Sequence, residues 1–371
     1  MPLKKQLRVL HIGPDRGARG GIASLLCAMG ESAASFGDRG ISLQFISTTR
    51  SDNKRMSVKI GVFLRAIGDV LNAILKAEVD IVHIHTALKG SLIRKAIFAW
   101  ICYLAEVPYI FQVHNGAFFD RYLIAKGMNR LFVRPVLRNS ARVVVLSQYM
   151  RNLGLQTGAV SADRCILIYN GIADPLRGEV LGKERHASRV QIVFLGLLSA
   201  AKGVPTLLDA IKILEPDFRK FSVSVYGNGD VSSFEKNLVD CGLSGVVTYG
   251  GWVGGEKKNS VLNEADIFVL PSRNEGFSVA ILEAMSHGLA IVSTSIPGVV
   301  DAVRSGTEAI LVPPDNEMAL ADAILELIDD PELRLQLGQA ARQRYLAHFT
   351  LEKMVDKLSS VYRECVKRTG I

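Results

Sequence analysis

The chain alternates short, continuous apolar runs with longer segments of helical periodicity. An apolar run without polar alternation is typical of a parallel strand that is buried on both faces of its sheet. Residues 57–77 instead carry apolar side chains at intervals of three and four, which predicts an amphipathic helix. We predict strands at Leu7–Ile12, Ile41–Ser47, Asp80–His85, Pro108–His114, Ala141–Ser147, Cys165–Tyr169, Val190–Gly196, Phe221–Tyr226, Val246–Tyr249, Asp266–Leu270, Ala290–Ser293 and Ala309–Val312.

Alternating strands and helices predict an α/β fold with two doubly wound, Rossmann-like domains that face each other across a cleft. The first domain is expected over 1–170 and the second over 190–371, and the linker 171–189 is rich in glycine and charge. The pattern becomes helical throughout after Pro314, so a C-terminal helical segment follows, and its last helix is free to return to the first domain. A length of 371 residues fits two domains.

The composition excludes several classes of protein. With 49% hydrophobic and 22% charged residues, the chain is expected to be globular. Mean hydropathy is +0.23, but the longest strongly apolar run, 96–105, is shorter than the roughly 20 residues of a spanning helix. Five dispersed cysteines without a C-x-x-C pattern indicate reduced thiols, and hence a cytoplasmic protein.

Charge is distributed unevenly along the chain. Residues 1–170 carry 23 Lys and Arg against 10 Asp and Glu, and residues 171–371 carry 21 against 26, so the first half is +13 and the second −5. A basic half attracts an anionic partner, such as a lipid surface or a phosphorylated substrate.

Two loops that directly follow predicted strands suit a phosphorylated ligand. The first contains Gly20 and Gly21 ahead of a helix, whose N-terminal amides can bind a phosphate. The second carries Lys202, which can contact a diphosphate as a point charge. Each feature alone equally fits an ordinary glycine-rich connection or a solvated lysine.

A third loop, 271–278, precedes a predicted helix and contains an E-x7-E pattern. Glu275 lies in the turn before the helix, and Glu283 lies on its second turn. A carboxylate can accept hydrogen bonds from two vicinal hydroxyls, as a sugar or ribose presents them. The backbone amides at the helix start can hold an anion; they belong to Gly276, Phe277 and Ser278. Acids near a helix start are common by themselves.

Several longer segments occur in a set order. The second half contains FLGLLSAAKGVPTLLDAI, YGNGD, VLPSRNEGFSVAILEAMSHGLAIVSTSIPGV and AILVPPDN, and the first contains RVLHIGPDRGARGGIASLL, DIVHIHTALKG, YIFQVHNGAF and ILIYNGI. Together they resemble the family 4 glycosyltransferases, retaining enzymes of the GT-B fold, over nearly the whole chain. The resemblance implies a nucleotide-sugar donor in the second domain and an acceptor in the first.

The resemblance also implies roles for individual residues. Glu275 matches the residue that contacts the donor sugar, Glu283 the residue that binds the ribose, and Lys202 the residue that contacts the diphosphate. His114 matches a catalytic-site histidine near the transferred sugar. Further donor contacts are implied for Gly20, Gly21, Gly276, Phe277 and Ser278.

The chain departs from the family pattern at Leu197, where an arginine usually pairs with the lysine. Arg16, Arg19 or Arg273 is expected to compensate as a donor-binding cation. Fixed positive groups would stabilise the leaving diphosphate. The resemblance implies transfer with retention of configuration and no cofactor besides the nucleotide-sugar substrate. The absence of a D-x-D motif fits the expectation that no metal is needed.

Histidines and basic residues complete the candidates in the first half. His83 and His85 share one strand face and can cluster with His114, but no carboxylate or cysteine completes a metal site, so we expect packed or cleft-lining histidines. Basic residues recur at every fourth position: Lys126, Arg130, Arg134 and Arg138, with Arg142 beginning the next strand. They form either a solvated face or a surface for anionic lipid, to which each nearby basic residue would contribute about 1 kcal/mol of binding free energy.

The sequence therefore predicts a peripheral enzyme at the inner face of the cytoplasmic membrane. Its donor would be a UDP- or GDP-sugar, and its acceptor a saccharide, lipid-linked, in surface-polysaccharide biosynthesis. Two alternatives stay open: a nucleotide-sugar 2-epimerase-like isomerase on the same fold, and a non-enzymatic anion-binding protein. Nucleic acid is not an expected partner, because the basic half lacks aromatic-interleaved RNA motifs and a helix-turn-helix signal. A Rossmann dehydrogenase is disfavoured because no G-x-G-x-x-G follows the first strand.

Overall fold

The computed structural model describes residues 6–18, 20–49, 55–87, 90–124, 128–177 and 189–368. The chain divides into two compact units. The first unit comprises Met1–Ala173 together with Leu351–Ile371, and the second comprises Asp174–Thr350.

The first unit is built on a six-stranded parallel sheet with the strand order β2-β1-β3-β4-β5-β6. Its strands are β1 Leu7–Gly13, β2 Ile41–Ser47, β3 Ile81–Thr86, β4 Tyr109–Val113, β5 Arg142–Val145 and β6 Cys165–Leu167. Its helices are α1 Gly21–Glu31, α2 Ala33–Asp38, α3 Met56–Leu75, α4 Gly90–Leu104, α5 Phe118–Ile124, α6 Met128–Asn139, α7 Gln148–Gln156 and, from the end of the chain, α15 Leu351–Arg368.

The second unit has a six-stranded parallel sheet with the order β12-β11-β10-β7-β8-β9. Its strands are β7 Val190–Leu195, β8 Phe221–Tyr226, β9 Val247–Tyr249, β10 Ile267–Leu270, β11 Ala290–Thr294 and β12 Ile310–Val312. Its helices are α8 Val204–Ile213, α9 Val231–Asp240, α10 Gly255–Glu264, α11 Val279–Ser286, α12 Pro297–Val300, α13 Glu317–Asp329 and α14 Pro331–His348.

The strand order of the second unit reverses between β7 and β10, which lie side by side. In a doubly wound sheet, ligands bind beyond the carboxyl ends of the strands at such a switch point. The loops that follow β7 and β10 are the two that carry Lys202 and Glu275. The topology therefore brings two loops that are about 70 residues apart in sequence to one edge of the sheet.

Every predicted strand overlaps a strand of the structure, and no end differs by more than two residues. The central strands β3, β4, β10 and β11 are buried along their whole length. Continuous apolar runs thus mark strands covered on both faces, and the predicted α/β fold with two Rossmann-like sheets is confirmed.

The last helix, α15, packs into the core of the first unit. Its apolar stripe is buried beside residues of β1 and α2, and Val355 and Tyr362 are fully inaccessible to solvent. The backbone N–H of Leu351 donates to the carbonyl of Ile172 at 2.7 Å. The second unit therefore ends at Thr350, and the last helix returns to the first unit, as the sequence allowed, because its apolar stripe is buried there. The break at residue 173 falls inside the predicted linker, of which 178–188 lie outside the described residues.

Candidate active site

The loop 271–278 of the second unit is fixed at both ends. The hydroxyl of Thr294 donates to the carbonyl of Ser272 at 2.5 Å. At the other end, the Ser278 hydroxyl caps α11 by accepting a hydrogen bond from the backbone N–H of Ile281 at 3.4 Å. Both serines are buried. Glu275 lies between these two anchored ends, so its backbone position is determined by the strand and the helix.

Glu275 is paired with Lys202. The Lys202 ammonium lies 2.5 Å from Glu275 Oε1, and the Ser272 hydroxyl donates to the same oxygen at 2.8 Å. The Glu275 side chain is 9% exposed and that of Lys202 is 28% exposed. A hydrogen bond to an ionised group at such a partly buried position is stronger than one between neutral groups. The structure thus joins the predicted sugar-contacting carboxylate to the predicted diphosphate-contacting lysine.

Two glycines permit the close approach of three backbone segments around this pair. Gly203, at φ +71, ends the short turn that carries Lys202, and a Cβ there would lie 1.8 Å from the carbonyl oxygen of Pro271. A Cβ at Gly298, at the start of α12, would lie 2.2 Å from the carbonyl oxygen of Glu275. Any side chain at either position would displace the Glu275 loop.

Glu283 is paired with a second lysine. Its carboxylate, on α11, is hydrogen-bonded to the ammonium of Lys258 on α10, and the two side chains are 15% and 25% exposed. His287, one turn further along α11, bonds through Nδ1 to the backbone carbonyl of Glu283 at 2.8 Å, and burial lowers its pKa. Both carboxylates of the E-x7-E pattern are therefore held in place by ammonium groups.

The remaining donor candidates in this unit have mainly structural partners. Arg273 Nε lies 2.5 Å from Asp315 Oδ1, and both side chains are about half exposed. An exposed pair of this kind contributes little stability. Phe277 is buried, with its ring 5.4 Å from that of Phe349. Leu197 is 47% exposed. Arg273, one of the three arginines expected to compensate for Leu197, is thus paired with Asp315, and its role toward the donor stays a prediction.

The glycine loop of the first unit leads from β1 into α1. Gly20 and Gly21 are exposed, and a Cβ at Gly20 would meet nothing within 4 Å. Gly20 has φ +146, a conformation that favours glycine, and α1 begins without a side-chain cap. The guanidinium of Arg16 stacks over Phe45 at 4.7 Å, and Arg19 lies outside the described residues. The start of α1 is therefore open to a ligand.

His114 directly follows β4 and is joined to a buried histidine cluster. Its Nε2 lies 3.0 Å from His85 Nδ1, and His85 Nε2 lies 2.9 Å from His11 Nδ1. Nitrogens of His11, His83 and His85 come within 4.8 Å of one another. Their hydrogen-bonding partners are side chains, however: His11 bonds to His85, and His83 bonds to Tyr362. The absence of a metal stays a prediction. The predicted grouping of His83, His85 and His114 is observed, and His11 joins it.

Known proteins are similar to this chain in sequence and in fold. Residues 21–174 match the profile described as Glycosyltransferase Family 4, and residues 182–344 match that of Glycosyl transferases group 1. The two matches are consecutive and together span most of the chain. The chain belongs to glycosyltransferase family 4.

Individual members of the family are distant relatives. An uncharacterized glycosyltransferase of Methanocaldococcus jannaschii is 27% identical over 312 residues, which are 81% of this chain and 82% of that protein. The alpha-D-kanosaminyltransferase of Streptomyces kanamyceticus is 26% identical over 273 residues, 70% of this chain and 71% of that one. Among solved structures, sucrose-phosphate synthase of Thermosynechococcus elongatus has a TM-score of 0.77 at 17% identity and covers 98% of this chain and 100% of its own.

A second solved structure contains ligands. HepE of Anabaena, in complex with UDP and glucose, has a TM-score of 0.74 at 17% identity, covering 96% of this chain and 99% of its own. At this identity the likeness shows the fold, which is the predicted GT-B fold of two Rossmann-like domains.

Three residues at the site of this glycosyltransferase are not predicted by its sequence: Lys258, Gly298 and His11. Lys258 follows another lysine in an unremarkable polar helix, and only the packing of α10 near α11 pairs it with Glu283. Gly298 lies in the STSIPGV segment, whose residues give no indication of a contact with the Glu275 loop. His11 is a single histidine in a buried strand and carries no signal of its own.

The described part of the basic run is divided between α6 and β5. Arg134 and Arg138 are exposed on α6, and Lys126 and the side chain of Arg130 lie outside the described residues. Arg142 begins β5, as expected, and is buried beside Glu364 at 3.3 Å. Among the described residues, no helix has the length and hydrophobicity needed to cross a bilayer.

Proposed function

We propose that this glycosyltransferase moves a sugar from a UDP- or GDP-sugar to a lipid-linked saccharide, with retention of configuration and without a metal, in the biosynthesis of a surface polysaccharide. The observation that carries the proposal is the pair of carboxylates, Glu275 and Glu283, each bonded to a lysine around the start of α11. HepE, which shares the fold, holds UDP and glucose.

The donor chemistry follows from the charges at this edge of the sheet. In the proposed complex, Glu283 accepts hydrogen bonds from the ribose diol, and Glu275 accepts them from hydroxyls of the sugar. Breaking the sugar–phosphate bond leaves negative charge on the diphosphate, and the Lys202 ammonium and the amides at the start of α11 are the fixed positive groups nearby. These groups would supply the charge stabilisation for which other transferases use a divalent ion.

The environment of Glu275 does not suit a covalent sugar–enzyme intermediate, so the proposed retention is assigned to a direct route. This carboxylate accepts hydrogen bonds from Lys202 and Ser272 on one oxygen, which reduces its strength as a nucleophile. Attack by the acceptor hydroxyl on the face that the diphosphate leaves, with the departing phosphate oxygen taking the hydroxyl proton, needs no covalent sugar–enzyme intermediate. The bond to the acceptor oxygen forms as the bond to the phosphate oxygen breaks.

The lipid-linked acceptor is supported by α3 in the first unit. This helix exposes large apolar side chains on one side, at intervals of four and seven residues; they are Met56, Ile60, Leu64, Leu71 and Leu75, between 41% and 84% exposed. Arg65 on this helix and Lys76 directly after it are also exposed. An exposed apolar stripe with basic neighbours is typical of a helix that lies in a membrane interface, here the inner face of the cytoplasmic membrane.

A release assay tests the transfer. The purified protein is given a panel of UDP- and GDP-sugars with and without a bacterial lipid extract, and release of nucleoside diphosphate is measured. Glu275→Ala is expected to lower turnover at least a hundredfold, as loss of a main transition-state contact does, while Glu326→Ala on the exposed face of α13 should match the wild type. Wild-type turnover in Glu275→Ala would reject the assignment, and an altered nucleotide sugar without diphosphate release would indicate an isomerase.

Sedimentation with vesicles tests the membrane contact. Leu64→Asp is expected to abolish binding to anionic phosphatidylglycerol vesicles at low salt, whereas Leu335→Asp, 58% exposed on α14, should bind as the wild type does. Equal binding by both variants, or none by the wild type, would contradict the role of α3 and leave transfer to a soluble acceptor unaffected.

A further inference from the structure

Five buried or half-buried side chains of the first unit form one continuous hydrogen-bonded chain. It begins at His114 and passes through His85 and His11, with the distances given above. His11 Nε2 then lies 3.4 Å from the hydroxyl of Tyr362 on α15, and that hydroxyl lies 2.7 Å from His83 Nδ1. The chain of bonds therefore connects the end of β4 to the last helix of the protein.

Every member of this chain is neutral at physiological pH. Burial lowers the pKa of His11 and His114 to about 3, lowers those of the other two histidines well below 6.5, and raises that of Tyr362. The other titratable groups whose charge acts on the chain are Lys95 on α4 and Cys365 on α15. Lys95 is itself buried and has a lowered pKa.

The number of protons limits how these bonds can be arranged. A neutral imidazole carries one N–H and a tyrosine one O–H, so the five side chains hold five such protons. Four hydrogen bonds join them, and each uses one proton. If all four bonds are made, one proton is left over: on His83 Nε2, on His114 Nδ1, or on the Tyr362 hydroxyl when its oxygen accepts from both His11 and His83. The last case is costly, because Tyr362 is fully buried and no other described residue accepts from its O–H.

The two ends differ in their surroundings. His83 Nε2 is buried, and no acceptor of the described residues lies within hydrogen-bond distance of it. The Gln112 side chain is close enough to oppose, in part, the lowering of the His83 pKa by burial. A buried N–H without an acceptor is rare and costly, more so than a bare lone pair. His114 is partly exposed, so an N–H on its Nδ1 can reach water or a ligand.

We propose that this series of hydrogen-bonded side chains holds His114 as the tautomer with its proton on Nδ1. In that form His114 donates a hydrogen bond to the ligand and does not act as a base. His85, His11 and Tyr362 are then positioning residues, since they fix the His114 ring and its proton. The ligand atom must be an acceptor oxygen, such as a sugar hydroxyl or a phosphate oxygen. Only the identity of that ligand rests on the proposed function.

Nitrogen-15 NMR of the ligand-free protein tests the tautomer directly. The chain has seven histidines, few enough for each ring to be assigned from single His→Asn variants. The neutral Nδ1–H form is expected for His114, and also for His85, His11 and His83, because every bond in the chain then points the same way. An Nε2–H form at His114, or an averaged mixture, would overturn the proposal.

A matched pair of variants tests the consequence for transfer. Asn and Asp have the same shape, but only Asn can donate at the position of Nδ1. His114→Asn is expected to have a kcat about tenfold above that of His114→Asp, the factor for one net hydrogen bond, with melting temperatures recorded to exclude unfolding. Equal or greater turnover in His114→Asp would show that position 114 accepts a proton. If the wild type transfers no sugar, the proposed function fails and the NMR result still decides the tautomer.

Discussion

A methyl group at position 298 would test how strictly the Glu275 loop must be placed. A Cβ there would lie 2.2 Å from the carbonyl oxygen of Glu275, 2.6 Å from its carbonyl carbon and 3.0 Å from its Cβ. Ordinary contact begins at 3.4 Å, so α12 and the loop must separate by about 1.2 Å. Since all three neighbouring atoms are close to the backbone, no side-chain rotation can absorb this shift.

The expected cost is larger for catalysis than for folding. Overpacking a tight contact costs about 1–3 kcal/mol of unfolding free energy. A displacement of about 1 Å at a substrate-positioning group lowers turnover by roughly a hundredfold. Gly298→Ala should therefore remain folded but lose about two orders of magnitude in kcat/KM, measured as nucleoside diphosphate release.

A second glycine provides the control. Gly245 lies in an exposed turn of the same unit, has nothing within 4 Å of an added Cβ, and does not have a positive φ. Gly245→Ala should keep wild-type turnover and melting temperature. If Gly298→Ala also behaves as the wild type, the contact with Glu275 does not position the loop, and the reasoning from steric distance is refuted.

Two further predictions concern buried or half-buried lysines. In Lys258→Met, Glu283 loses its cation, so affinity for UDP or GDP measured by calorimetry should fall about three- to tenfold and the unfolding free energy by roughly 1–2 kcal/mol. Lys257 is the exposed neighbour, and Lys257→Met should change neither quantity. Equal effects in both variants would contradict a specific role for the pair of Lys258 and Glu283. Burial lowers the pKa of Lys95 well below 10.5, so the unfolded chain binds a proton that the folded chain releases. As pH rises toward 10.5, the unfolding free energy of the wild type should therefore rise relative to that of Lys95→Met, by at most about 1.4 kcal/mol per pH unit. If the urea-unfolding free energies of the two proteins run parallel across pH 7–10, Lys95 is charged in the fold.

The loops of the candidate site could be located from sequence because their signals are local. A buried parallel strand requires an uninterrupted apolar run, and a ligand loop at its end requires glycine, a charged residue and a helix start within a few positions. The loops around Lys202 and Glu275 show both features, and the structure places them at the switch point of the second sheet. The resemblance to the family added roles for these residues, and those roles stay predictions.

The partners of these residues could not be located in the same way. Leu197 suggested a gap that Arg16, Arg19 or Arg273 was expected to fill, and the partner of Arg273 in the fold is Asp315, 42 positions along the chain. Arg142 begins a strand, as the sequence predicted, but its ion-pair partner Glu364 lies on the last helix, 222 positions away. In both cases the deciding contact is made with a segment distant in sequence.

The sequence by itself determined the α/β class, the twelve strands, and the loops on which chemistry can occur, because alternation of buried strands and amphipathic helices is written in short-range hydrophobic periodicity. Only the tertiary structure decided that Lys202 meets Glu275, that Lys258 meets Glu283, and that Tyr362 closes a hydrogen-bonded chain with histidines about 280 to 350 positions away. Such pairs depend on which strands become neighbours and where the last helix packs, and no local pattern of residues specifies either.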